Sequence, residues 1–142
     1  IQQKKQRSRF LSWPVDKDKF WISSFFGRRR MDLNKWGFHY GLDLAALKGT
    51  PVKAAANGKV LEACDGNGYG NTILLLHNRL YKTRYAHLNR LRVRYGQLVK
   101  RGQIIGTVGA TGNVRGNGTD ASHLHFEVHQ NNRQVNPLYY LS

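Results

Sequence analysis

Several residue types are scarce in this sequence, and each shortage removes a class of structure. There is one cysteine, Cys64, in 142 residues, which excludes an intrachain disulfide framework and any multi-cysteine metal cluster. No stretch approaches the ~20 consecutive apolar residues of a membrane-spanning helix, so the chain offers no transmembrane segment. Acidic side chains are few: 8 Asp and Glu stand against 23 Lys and Arg, a formal charge of +15. What is present is enough for a folded domain. A hydrophobic content of 40% is too high for a disordered basic tail, and the length suits one domain that buries a core without disulfide staples.

The basic residues are unevenly placed. Lys4, Lys5, Arg7 and Arg9 occupy a polar start, and Arg28, Arg29 and Arg30 form a run. Between Asp65 and Asp120 there is no acidic residue, yet nine Lys or Arg fall there. Such a balance suits a solvated surface, or a polyanionic partner such as nucleic acid, an anionic membrane or an acidic cell-wall polymer. A nucleic-acid binder needs a recognisable module as well. No zinc-finger cysteine pair, basic-region heptad or aromatic RNA-recognition motif occurs, so no specific nucleic-acid partner is expected. The chain starts on Ile1, and no apolar leader run follows the early lysines. That is the pattern of a processed or cut chain, and the missing leader is no argument against export. Residues 1–11 read as a flexible basic lead-in and 12–142 as a single domain, with ordered structure beginning at Trp13.

Glycine punctuates the rest. Outside the glycine-free stretch 71–95 the runs between glycines are short, which suits strands better than helices. The apolar run 72–76 ends at His77, and Asn78-Arg79 can turn the chain. From Tyr81 to His87 the residues alternate, placing Tyr81, Thr83, Tyr85 and His87 on one face and Lys82, Arg84 and Ala86 on the other. Gln103–Val108 and Leu124–Val128 are further strands, and 88–95 fits either a strand or a short helix. The predicted fold is mainly β, with antiparallel sheets and long loops.

Two histidine pairings stand out. His39 and Asp43 frame one segment, and His123 and His125 frame His-Leu-His. Even spacing on an extended strand returns side chains to one face. Two imidazoles and a carboxylate suit zinc, and three protein ligands leave a position for water. Either pairing alone is weak, because chance yields roughly 0.2 His-x-His and roughly 0.25 His-x-x-x-Asp pairs in such a chain. A hydrogen-bonded structural or surface histidine is the better explanation of a lone pair.

The surrounding residues carry more. Phe38-His-Tyr-Gly-Leu-Asp-Leu-Ala45, Gly49-Thr-Pro-Val52, Tyr81-Lys-Thr-Arg-Tyr-Ala-His-Leu88, Gly102-Gln-Ile-Ile-Gly106 and His123-Leu-His-Phe-Glu-Val128 occur in this order. Over about residues 12–139 the sequence resembles the zinc metallopeptidases of the lysostaphin and LytM type, the M23 peptidases, which cut peptide cross-links of bacterial peptidoglycan. The resemblance implies a lysostaphin-type domain in which loops form a substrate groove, one Zn2+ per chain, and a place in the bacterial envelope, periplasmic or extracellular. It implies that His39, Asp43 and His125 bind zinc, and that His123 and His87 are catalytic. His123 is expected as the general base and His87 as the oxyanion or proton-transfer partner, two roles that could be exchanged. Tyr40, Tyr69, Asn71 and Thr111 are candidates for the groove wall. Glu127 shares the face of His123 and His125 as a supporting group, while His77 and His129 read as structural or surface residues. From Thr111 to His123 the chain is about five residues longer than the usual pattern of these peptidases, and the insert region 113–122 should border the groove. The peptide cross-links are the expected substrate, and the basic surface could hold the enzyme near anionic wall polymers. The alternative is a non-catalytic envelope module with the same fold.

Overall fold

A computed structural model describes residues 9–112, 114 and 121–142. Its strands, in chain order, are β1 (Trp21–Ser24), β2 (Gly27–Asp32), β3 (Lys35–His39), β4 (Leu42–Ala45), β5 (Pro51–Lys53), β6 (Gly58–Asp65), β7 (Asn71–Leu76), β8 (Tyr81–Leu91), β9 (Leu98–Val99), β10 (Ile104–Val108), β11 (His123–Gln130) and β12 (Arg133–Val135). Short 3-10 turns at Lys17–Lys19, Asn67–Tyr69 and Pro137–Tyr139 complete the regular structure. Among the described residues no helix is long and apolar enough to cross a membrane. The fold is mainly β and antiparallel, as the glycine spacing predicts.

The main sheet runs β1-β4-β11-β8-β7-β6-β9, with β10 bridging β5 and β8 and β12 pairing with β11. The hairpin β2–β3 stands apart as a two-stranded sheet. Alternation along the central strands divides the main sheet into two chemically different faces. One face carries Leu42, Leu44, Ile73, Leu75, Tyr85, Leu124, Phe126 and Val128, all fully buried. The other carries Asp43, Arg84, His123, His125 and Glu127. Register links the polar set across strands: His125 faces Asp43 on β4 and Ala86 on β8, and Glu127 faces Arg84.

Three local expectations change. Phe10 and Leu11, assigned to the lead-in from sequence, belong to the packed body. Leu11 is fully buried and bridges Leu141, and the Phe10 ring meets Tyr81 edge-on at 4.9 Å. Apolar side chains next to a basic segment are drawn in when a core surface is available, and the basic composition of 1–11 hid this. The stretch from Leu88 continues as strand to Leu91, because β10 pairs with it. Tyr85 and His87 do not share a face. Tyr85 lies in the core, where its hydroxyl accepts from Ala55 N at 2.9 Å. Between Asn71↔Leu88 and Ile73↔Tyr85, β8 has two residues, Ala86 and His87, where β7 has one. His87 adopts φ +62° there. This β-bulge reverses the alternation and delivers His87 to the polar face.

Candidate metal and catalytic site

The polar face of β4, β8 and β11 and the inner side of the β2–β3 hairpin enclose an open cleft of about 790 Å³. His39, Asp43, His87, His123, His125, Tyr40 and Tyr69 all line it. His39 and Asp43 reach it by a route the sequence did not suggest. They sit on different strands, β3 and β4, and the chain turns between them at Tyr40-Gly41. Gly41 is required at that turn, since a Cβ would lie 2.7 Å from His125 Cε1 and from the Phe126 carbonyl oxygen.

Asp43 is the hub. Its Oδ1 lies 3.2 Å from His39 Nε2 and 2.9 Å from His125 Nδ1. His39, Asp43 and His125 offer three ligand atoms that all lie within 4.8 Å of one another. Each imidazole is fixed through its other nitrogen. His39 Nδ1 donates to the Phe25 carbonyl at 2.9 Å. His125 Nε2 donates to Glu127 Oε2 at 2.9 Å. His87 Nδ1 donates to the Thr111 carbonyl at 2.7 Å, and His123 Nδ1 to the Ala121 carbonyl at 3.1 Å. A carbonyl can only accept, so these contacts set the tautomers of His39, His87 and His123. In a neutral ring, Nε2 of His87 or His123 then carries the lone pair toward the cleft, while Nε2 of His39 faces Asp43 Oδ1.

The electrostatics follow from this packing. Burial favours neutral Asp43, but hydrogen bonds from His125 and His39 outweigh it and hold the carboxyl well below the usual carboxylate range. Burial opposes charge on His125, yet Asp43 and Glu127 together raise it to about 9. Its Nδ1 proton thus bridges to Asp43 where a cation could replace it. The two-nitrogen, one-oxygen donor set, with each ring anchored from behind, fits a zinc ion. His87 is pushed the other way. Burial lowers it to about 4, more than the Thr111 carbonyl raises it, so it is neutral near pH 7. Its ring centroid lies 5.0 Å from that of His123 and 5.9 Å from that of His125. His87 and His123 therefore face the cleft together beside the three donor atoms, and neutral His87 can accept a proton.

Of the groove candidates, Tyr40 and Tyr69 line the cleft, and the Tyr69 hydroxyl is committed to Glu127 Oε2 at 2.9 Å. Asn71 and Thr111 sit behind it. The Thr111 hydroxyl accepts from Asn71 N at 3.0 Å and donates to the Leu88 carbonyl at 2.8 Å. Thr111 therefore acts on the site through the carbonyl that holds His87. Most of the 113–122 segment lies outside the described residues. Glu127 plays a larger part than its sequence position suggested. It is buried and takes His125, His129 at 2.7 Å and Tyr69 at once, which draws its carboxyl down to about 2 despite burial. Alternation along β11 gave its face, but the convergence of Tyr69 and Arg84 on it depends on neighbouring elements. Ser24 and Arg29 also line the cleft, and sequence reading counted Arg29 only as charge.

Comparison with known proteins agrees with this geometry. Residues 37–137 match the model of a family described as Peptidase family M23. The chain is 41% identical over 131 residues to the peptidoglycan DD-endopeptidase ShyB of Vibrio cholerae, covering 91% of this chain and 30% of that protein. It is 42% identical over 106 residues to the murein hydrolase activator NlpD of Escherichia coli, covering 74% of this chain and 26% of that protein. Among solved structures, a zinc-containing peptidase from Vibrio cholerae superposes with a TM-score of 0.79 at 42% identity, over 91% of this chain and 39% of that one. The catalytic domain of lysostaphin from Staphylococcus simulans superposes with a TM-score of 0.73 at 38% identity, over 84% of this chain and 90% of that one. The chain thus spans under a third of the two curated relatives.

Proposed function

Because the chain belongs to peptidase family M23, we propose that it is a zinc-dependent endopeptidase that hydrolyses peptide cross-links of bacterial peptidoglycan in the cell envelope. The observation that carries this reading is the meeting of the His39, Asp43 and His125 donor atoms with His87 and His123 in one cleft.

His39 through Nε2, Asp43 through Oδ1 and His125 through Nδ1 would hold the ion. When bound, zinc supplies Lewis acidity, polarising the scissile carbonyl and bringing the pKa of water down to about 7. The protein's own groups do the rest. His123 Nε2 lies 4.0 Å from Asp43 Oδ1, close enough to take a proton from water beside the donor set and return it to the leaving amine. His87 is neutral and begins as an acceptor. If His87 rather than His123 takes the water proton, its Nε2–H can then stabilise the developing oxyanion. The shared tautomer of the two rings leaves the order of these roles open to exchange. Glu127 keeps His125 turned with Nδ1 toward the cleft. The exposed basic residues would favour residence near anionic wall polymers, an attraction that salt screens.

The test is metal analysis of the purified protein, with digestion of purified peptidoglycan in the presence and absence of a chelator. Near-stoichiometric zinc and chelator-sensitive release of cross-link peptides are expected. Zinc-free protein with no such cleavage would defeat the proposal. The second reading, a non-catalytic envelope module, draws on the resemblance to an activator described for Escherichia coli. It predicts wall binding without release of peptides, and it gives no reason for five cleft residues of this chemistry.

A further inference from the structure

The hairpin β2–β3 brings one cation into the cleft. Arg28 and Arg30 stack outside, their guanidinium carbons 5.0 and 5.4 Å from the Trp36 ring centroid. Arg29, between them, turns to the opposite face by the period of two and lines the cleft with His39. Its Nη1 donates to the Ser24 hydroxyl at 2.6 Å. That hydroxyl lies 3.3 Å from His39 Nδ1. The guanidinium is thus one hydroxyl away from an imidazole of the donor set.

Arg29 is poorly satisfied for a charged group in such a place. Among the described residues no carboxylate forms an ion pair with it. Its Nε is buried and has no hydrogen-bond partner. Asp43, the acidic residue of the cleft lining, is engaged by His39 and His125. A guanidinium offers five donors in a planar fork that matches a carboxylate. Nε lies out of a ligand's reach, so the donors that can meet a cleft anion are the terminal Nη groups, one of which also serves Ser24. The cleft therefore presents a preformed, unpaired receptor for a planar anion beside the reacting groups.

Resting on the peptidase reading above, we propose that Arg29 is a specificity residue that receives a free carboxylate of the substrate, carried on the carbon that bears the leaving amine. This chemistry separates two substrate classes. A cross-link made through a diamino diacid keeps a free carboxylate beside the cut amide, whereas a glycine bridge has none along its length. Arg29 selects the first class.

The test uses two synthetic peptides in which D-Ala acylates the side-chain amine of diaminopimelate. In one the carboxylate beside that amine is free, and in its twin it is a carboxamide. The ratio of kcat/KM, acid over amide, is measured for the parent, Arg29→Gln and Arg29→Lys. Calorimetric Kd values for both peptides are measured on metal-free protein. The parent should favour the acid about ten-fold or more. The ratio should fall to near one in Arg29→Gln. It should be intermediate in Arg29→Lys, which keeps the charge and loses the fork. The Kd values should follow the same order. A parent without preference, or an Arg29→Gln protein that keeps it, overturns the proposal. So does an equal loss on both peptides, because Arg29 would then serve only to support Ser24 and His39. If the parent cleaves neither peptide, the peptidase reading fails, and the Kd comparison still decides whether Arg29 receives the carboxylate.

Discussion

His125 shows how much a single side chain here depends on its neighbours. One ring nitrogen meets Asp43 and the other meets Glu127, each at 2.9 Å, so the ring cannot rotate without losing a charge-assisted contact. Replacing His39, Asp43 or His125 by Ala should abolish both zinc content and hydrolysis. His87→Ala and His123→Ala should retain zinc and lose roughly 10²–10⁴ in turnover, the range of general acid–base catalysis. A His125→Ala protein with parental zinc content and rate would refute the ligand set. Glu127→Gln keeps the shape and removes the charge behind the ring. A fall of about 10–100-fold in metal affinity is expected, read by competition with a chromophoric chelator. Unchanged affinity would reduce Glu127 to a packing role.

At the scale of elements, two devices build the cleft: the bulge on β8 and the close approach of two glycine turns behind it. Gly70 has φ +63° and Gly112 φ +79°. A Cβ on Gly70 would strike Thr111, and one on Gly112 would strike the Gly70 backbone. The Thr111 carbonyl is thereby held against His87 Nδ1. Gly70→Ala should lower stability by about 1–3 kcal/mol from its positive-φ, glycine-only backbone alone, with the clash adding to it, as measured by denaturant unfolding. It should also reduce turnover more than zinc content, since the displaced carbonyl orients His87 and lies away from the donor set. Parental stability and turnover would show that the two turns can separate at no cost. Alternation predicted the strand 81–87 correctly and misassigned its last residue. A bulge is a mismatch in count between two strands, so β8 read without β7 could not disclose it. The pairing of His39 with Asp43 was found from spacing, yet its cause is a turn between two strands.

Across the whole molecule, a polar chain threads the core from the cleft's far side. Ala55 N–H donates to the Tyr85 hydroxyl, that hydroxyl meets Thr83 Oγ1 at 2.8 Å, and Thr83 Oγ1 meets His77 Nε2 at 2.7 Å. His77 Nδ1 donates to the Asn57 carbonyl at 2.7 Å, so in the neutral ring Nε2 accepts from the Thr83 hydroxyl. Burial lowers the His77 pKa, outweighing the Asn57 contact. A histidine depressed in the folded state leaves stability intact above its ordinary unfolded value of about 6.5. Below that, the unfolded chain binds the proton first and stability falls. The urea midpoint should therefore drop between pH 7.5 and pH 5, and less steeply in His77→Gln. An equal slope in the two proteins would assign the pH dependence to other groups. The charge of +15 is a property of this scale too, but the proposed chemistry rests on four histidines and one carboxylate.

The sequence by itself determined the fold class and most strand positions, and its resemblance to the M23 peptidases named five candidate site residues. Those are set by local periodicity, by glycine spacing and by motif order. Tertiary structure alone decided that His87 faces the cleft, that Leu11 closes the core, that Glu127 anchors His125 and that Arg29, with no carboxylate partner among the described residues, stands near His39. Each of these depends on a partner distant in the chain. A register shift, a buried acceptor or a missing counter-ion exists only once strands from separate segments lie side by side.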